Sequence, residues 1–196
     1  MESEPETGSV RQAQSLLNAP DISTLKGLRD RAILAVLLGC GLRRSEVASL
    51  TLAHLQQRDG RWCIVDLVGK HGRIRTTPMP AWVKVAIDIW TTPARISDGH
   101  VFRPVLRGDR VSDDRLGEKV VWQMLRGYSA DIGLRGIAPH DLRRTCAKLC
   151  RAAGGELEEI QMLLGHASVQ TTERYLGTKQ DLVNAPNDAI KLRVTL

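Results

Sequence analysis

A chain of 196 residues that is 42% hydrophobic can bury one full core, or one core and a short arm. Its 28 Lys and Arg against 22 Asp and Glu leave a net charge of +6 and a pI near 9.5, an excess suited to a polyanion such as nucleic acid. The sequence lacks a membrane-length apolar run, a signal-peptide core in MESEPETGS, and any CxxC or Cys/His zinc spacing around Cys40, Cys63, Cys146 and Cys150, so reduced buried thiols in a cytoplasmic protein are expected.

Met1 to Gly8 reads as a disordered or expression-derived arm. Ser9–Asn18 follows as a helix with Val10, Ala13, Leu16 and Leu17 on one stripe, broken by Asn18-Ala19-Pro20-Asp21. A second helix is predicted over Gly27–Gly39, with Ile33, Leu34, Leu37 and Leu38 on one face and Gly39 and Gly41 at its end. A short third helix begins near Ser45, read as its N-cap.

After Leu52 the pattern changes. Leu55–Arg58, the turn Asp59-Gly60 and Arg61–Val68 form a predicted β-hairpin. A second turn, Gly69-Lys70-His71-Gly72, leads into Arg73–Met79, and Pro78 and Pro80 stop that strand. Three antiparallel strands are about the minimum for a stable sheet, so they must lean on helices. Everything later reads as helical: Pro80–Thr91, Arg115–Ile132, Pro139–Ala153 and Glu156–Leu164, then a helix capped by Ser168 that carries Tyr175, and a last one in Lys179–Leu192. The fold class is mostly α with one small three-stranded antiparallel sheet, an α+β domain over residues 9–178 followed by a tail over residues 179–196.

Four local features share a chemical logic. Breaking a phosphodiester without a metal needs fixed cationic donors for the non-bridging oxygens, a nucleophile, and a proton donor for the leaving oxygen. Gly41-Leu42-Arg43-Arg44-Ser45-Glu46 sets an arginine at a helix entrance. His140-Asp141-Leu142-Arg143 puts a histidine and an arginine three apart on one helical face. Leu164-Gly165-His166 places a histidine just past a glycine-ended helix, and Tyr175 follows nine residues later. Taken singly, Arg43 or Arg44 reads as a solvated charge, Lys70 as a turn lysine, His140 and Arg143 as a cap and an ion pair, and His166 as a structural histidine. Tyr128, the other tyrosine, sits beside Trp122 and Leu125 in an amphipathic helix and reads as core.

The ordered set resembles the tyrosine recombinase (phage integrase) family in its Xer-like branch, through GLRDRAILAVLLGCGLRRSEVASL, VGKHGRIRTTPMP, PHDLRRTCAKLCRAAG and IQMLLGHASVQTTERYL. The resemblance extends from about Gln12 to Leu176. It implies the DNA breaking-rejoining catalytic fold, and cleavage and rejoining through a 3′-phosphotyrosyl link without metal, ATP or cofactor. By position it implies that Arg43 and Arg143 bind the scissile phosphate and that His166 adds a hydrogen bond. His140 would bond the phosphate or accept the tyrosine proton, Lys70 would protonate the 5′ leaving oxygen, and Tyr175 would attack. Glu46 would support the site from behind these groups, with Arg73 and Arg75 as competitors for phosphate contacts near Lys70.

The implied partners are double-stranded DNA and further protomers, a tetramer on synapsed DNA exchanging the Lys179–Leu196 tail, in a nucleoid-associated setting. Arg144 stands where many relatives carry a second histidine. The N-terminal helical DNA-binding domain of typical relatives has no counterpart in these residues, so one half of a two-part clamp is expected, as an excised domain or a shortened reading frame. A type IB topoisomerase activity and a non-cleaving DNA-binding module are the alternatives.

Overall fold

The computed structural model describes residues 9–69, 72, 74–165 and 182–195. Helix α1 spans Val10–Asn18, and Ser9 and Gln12 cap it reciprocally, each side chain accepting from the other's backbone N–H. It lays Ala13, Leu16 and Leu17 on the core while Val10 stays exposed. Helix α2, Leu25–Cys40, is capped by the Thr24 hydroxyl and ends at Gly41 in the left-handed conformation.

A single apolar face is expected for α2, yet it is buried on all sides from Ala32 to Cys40. It is the central rod of the domain, packed on by α1, by α4 (Ala81–Thr91), by α5 (Glu118–Asp131) and by α6 (Pro139–Ala152). Gly39 allows the approach of α4, since a Cβ there would lie 2.4 Å from a methyl of Val83 and 2.8 Å from the Trp82 ring. Trp90, fully buried, donates its indole N–H to Val101 O at 2.8 Å.

Helix α3 is Arg44–Ser49, and its N-cap position is Arg43, not Ser45. The Arg43 N–H donates to Glu46 Oε2 at 2.7 Å, so the acid three residues on closes the helix entrance without a hydroxyl cap. The sheet follows as β1 (Leu55–Arg58), β2 (Arg61–Val68) and β3 (Ile74–Pro78), antiparallel in that order. Arg58 pairs with Arg61 around Asp59-Gly60, both at positive φ as a two-residue hairpin of this hand requires. Register shifts between Ile64 and Leu67, where Asp66 adopts φ 55°.

Two expectations fail here. The stretch after α4 is not all helical: β4 (Val105–Leu106) and β5 (Arg110–Val111) form a small hairpin around Gly108 and Asp109, both at positive φ. The last helix predicted in Lys179–Leu192 is also replaced where the chain is described. Residues 182–195 run as irregular chain with one 3-10 turn, Pro186–Ala189. Tertiary contacts hold that segment. Asn187, fully buried, donates Nδ2 to Gly39 O at 2.9 Å and to Pro78 O at 2.6 Å, Arg61 pairs with Asp188, and Ile190 and Leu192 enter the core. Helix α7, Leu157–Leu164, ends at left-handed Gly165. The helix expected around Tyr175 lies outside the described residues.

Candidate functional site

Helices α3 and α6 both pack on α2, and α7 packs on α6 and on β3. Pro139 opens α6 where its missing N–H costs nothing, and Asp141 accepts from the Ala138 N–H at 2.9 Å. The three-residue spacing then sets His140 and Arg143 toward one cleft of about 400 Å³. Arg43, Arg44, Glu118 and Trp122 line its other walls. The two distant arginines singled out in the sequence therefore share a cavity, with His140 exposed at its rim.

Their environments differ. Arg143 is 4% exposed, and it donates Nη1 to Gly41 O and Nη2 to Leu164 O, stitching the end of α2 to the end of α7. Burial first, then the neighbouring charges of Arg43 and Arg75, lower its pKa to about 10 against the opposing pull of Glu46. At neutral pH it is still a cation. Arg43 keeps a third of its side chain in solvent and spends only Nη1 on Glu46 Oε1, at 2.8 Å, among the described residues. Arg44 turns instead to Glu118 at 3.2 Å across the cleft mouth. Two adjacent arginines thus separate into one held inward by an acid and one at the rim.

Glu46 is the hub. Its carboxylate, 3% exposed, accepts from the Arg43 backbone and guanidinium and from both terminal nitrogens of Arg75, at 2.6 and 2.9 Å. Burial raises its pKa, but the Arg75 hydrogen bonds and charge, joined by those of Arg43, outweigh that and hold it near about 2. The part taken by Arg75 is not legible as such in the sequence, where it stands only as a rival for phosphate. The available signal was period two: Arg75 and Thr77 share a face of β3, and Thr77 is fully buried.

Of the other site candidates, Lys70, His166 and Tyr175 lie outside the described residues, as does Arg73. The Gly72 N–H donates to Gly69 O at 3.2 Å. Tyr128 is half-buried and donates its hydroxyl to the fully buried Asp30 at 2.9 Å. Burial and that carboxylate push its phenol well above the ordinary range, which makes it a structural donor. Asp30 also receives Arg29 and Lys26, a buried hub that no motif announced. The four cysteines are free and buried, and burial raises the Cys40 thiol strongly.

No cluster of three or more metal-ligating side chains occurs among the described residues, and no described helix is long and apolar enough to cross a membrane. The cleft offers a partly open guanidinium, a buried one behind it, and an exposed imidazole. That set suits a phosphoryl or other oxyanion.

Residues 9–181 match the phage integrase family. The tyrosine recombinase XerD of Pseudomonas putida is 31% identical over 177 residues, covering 87% of this chain and 57% of that protein. The chain thus spans a little over half the length of the curated relatives it matches. Among solved structures, the integrase from mycobacterium phage Brujita superposes with a TM-score of 0.70 at 22% identity, covering all of this chain and 62% of the other. XerH site-specific recombinase, in a post-cleavage complex with a palindromic difH substrate, gives 0.66 at 18% identity over 90% of this chain and 49% of that one. With its helical body, its three-stranded sheet and its paired arginines in one cleft, this chain belongs to the phage integrase family of tyrosine recombinases.

Proposed function

We propose that this chain is the catalytic part of a site-specific DNA recombinase, which cuts and rejoins double-stranded DNA through a 3′-phosphotyrosyl link to Tyr175. The observation that carries the reading is the shared cleft of Arg43 and Arg143. A scissile phosphate placed there meets a partly exposed guanidinium held at a fixed angle by Glu46 and a buried one fixed by two carbonyls. Donors anchored in this way need no reorganisation when negative charge builds on the non-bridging oxygens. Site-bound cations also favour ionisation of an attacking phenol, whose free pKa is ~10.

In this reading His140, at the rim, bonds the phosphate or takes the tyrosine proton, and His166 adds a donor. Lys70 protonates the 5′ oxygen as it leaves. The phosphotyrosyl bond keeps the energy of the phosphodiester it replaces, so the reverse attack by a 5′-hydroxyl reseals DNA without ATP. Beside the cleft, a groove of about 310 Å³ on the far flank of α6 carries Arg135, Arg144 and Lys148, which supports a path for the flanking backbone. The setting is then intracellular, with the DNA.

We further propose assembly as a tetramer on two duplexes, with the tail passed to a neighbour. Residues 182–195 here pack on their own domain through Asn187, Ile190 and Leu192. The same seat on an identical neighbour would return the same contacts, so exchange has little net cost. Light scattering of the synapsed complex, with and without residues 182–196, checks this. An assembly unaltered by the deletion removes it.

The catalytic reading is tested with a nicked duplex that traps the covalent adduct. Peptide mapping is expected to place the DNA on Tyr175, and Tyr175→Phe to abolish the adduct while leaving DNA affinity within about threefold, since no phosphate contact is removed. An adduct on another residue, or one persisting in the phenylalanine variant, refutes it.

A further inference from the structure

Strand β3 presents an anomaly. Its core-facing positions carry Arg75 as well as Thr77, and a charge on such a face must be paired. Arg75 has 11% of its side chain exposed, and both terminal nitrogens are given to Glu46, from a position 29 residues earlier. Its Nε is buried with no partner among the described residues, so Glu46 alone holds the guanidinium. A carboxylate has about four acceptor positions. In Glu46 Arg75 takes two, and the Arg43 backbone and guanidinium take the others, at 2.7 and 2.8 Å.

That occupancy has a geometric consequence. While Arg75 engages both oxygens, Arg43 receives a single side-chain bond and keeps the rest of its guanidinium toward the cleft. Without Arg75, the carboxylate is free to take Arg43 in the two-toothed grip that this pair prefers. The arginine would then turn away from the phosphate. The stem of Arg75 also lies against Gly165, where a Cβ would stand 2.6 Å from Arg75 Cδ. The same side chain thus backs the left-handed Gly165 that ends α7.

We infer that Arg75 is a positioning residue for the cleavage step, which never touches the phosphate but sets Arg43 through Glu46 and supports the Gly165 turn. This rests on the recombinase reading above. It assigns Arg75 a place behind the phosphate ligands, in contrast to its expected competition for the phosphate.

The test is the single-turnover rate of covalent adduct formation at saturating protein, for the wild type, Arg75→Met and Arg75→Lys. Each is run on an ordinary nicked duplex and on one whose scissile phosphate has a methyl group in place of one non-bridging oxygen. On the ordinary substrate Arg75→Met is expected to be slower by about tenfold to a hundredfold, less than complete loss of a transition-state donor. Arg75→Lys, with one of the two bonds kept, should fall between. On the uncharged linkage the gap from wild type should close to within about threefold, because the charge that Arg43 serves is gone.

Equal slowing on both substrates would show general damage and overturn the inference, as would an Arg75→Met rate matching wild type. If the methionine variant does not fold, the lysine variant decides by the same comparison. No adduct from the wild type on either substrate would instead remove the recombinase reading itself.

Discussion

Replacing Glu46 by glutamine keeps the shape of the side chain and removes its charge, leaving Arg43 and Arg75 beside a neutral amide in a site that is 3% exposed. The carboxyl is lowered from its ordinary 4.5 to about 2 in the folded protein. That difference corresponds to about 3 kcal/mol of stability at neutral pH, at 1.36 kcal/mol per decade. It agrees with the ~3–5 kcal/mol typical of breaking a buried ion pair from one side. A carboxyl depressed by folding stabilises fully above its unfolded value and loses that contribution as pH falls through its folded value. The window is therefore pH 4.5 down to about 2.

Urea unfolding followed by fluorescence of the four tryptophans, on both proteins from pH 7 to pH 2, isolates this term. Other carboxylates titrate equally in the two. The wild type should exceed Glu46→Gln by about 3 kcal/mol at pH 7, with the difference shrinking toward zero near pH 2. A difference that stays constant over that range would refute the assignment of the ion pairs. Equal stability at pH 7 would do so as well.

Three further outcomes follow from other contacts. Arg143→Lys keeps a charge but cannot reach Gly41 O and Leu164 O together, so adduct formation should fall by at least ~100-fold. Its thermal midpoint should fall as well, and a near-normal rate contradicts the role proposed for Arg143. Tyr128→Phe should lower stability by about 1–3 kcal/mol in urea, because buried Asp30 loses a donor, and should leave adduct formation unchanged. Asn187→Ala strips two buried carbonyls of their donor, at a cost of about 2–4 kcal/mol in thermal unfolding. A smaller loss means that the tail is not anchored at this point.

How much of the molecule was legible in advance depended on whether the information was local. The hairpin at Asp59-Gly60 is written in two residues that accept positive φ, and the bounds of β1 and β2 match the prediction residue for residue. The α6 start was equally plain, because Pro139 can open a helix and the His140–Arg143 spacing sets a face. The β4–β5 pair was missed because two-residue strands leave no period to detect, although Gly108-Asp109 was the turn signal.

The tail was misread for the opposite reason. Its composition permits a helix, but buried bonds from Asn187 to α2 and β3 outweigh that local preference. The N-cap of α3 was misplaced because Glu46, three residues ahead, does the capping that a hydroxyl at Ser45 was expected to do.

Sequence alone determined the order and chemistry of the four local features, because a motif's residue types and spacing along one helix or turn are set locally. Only tertiary structure decided how each of the two adjacent guanidiniums at the cleft is held. Arg43 and Arg44 are alike as side chains, and they differ because a buried acid anchors one and a partly exposed acid on α5 takes the other. Tertiary structure likewise decided that Arg75, from a strand 29 residues beyond Glu46, completes that acid's coordination. Pairing of a buried charge is enforced by the cost of leaving it alone in the core, and the partner is whichever opposite charge the packing brings near.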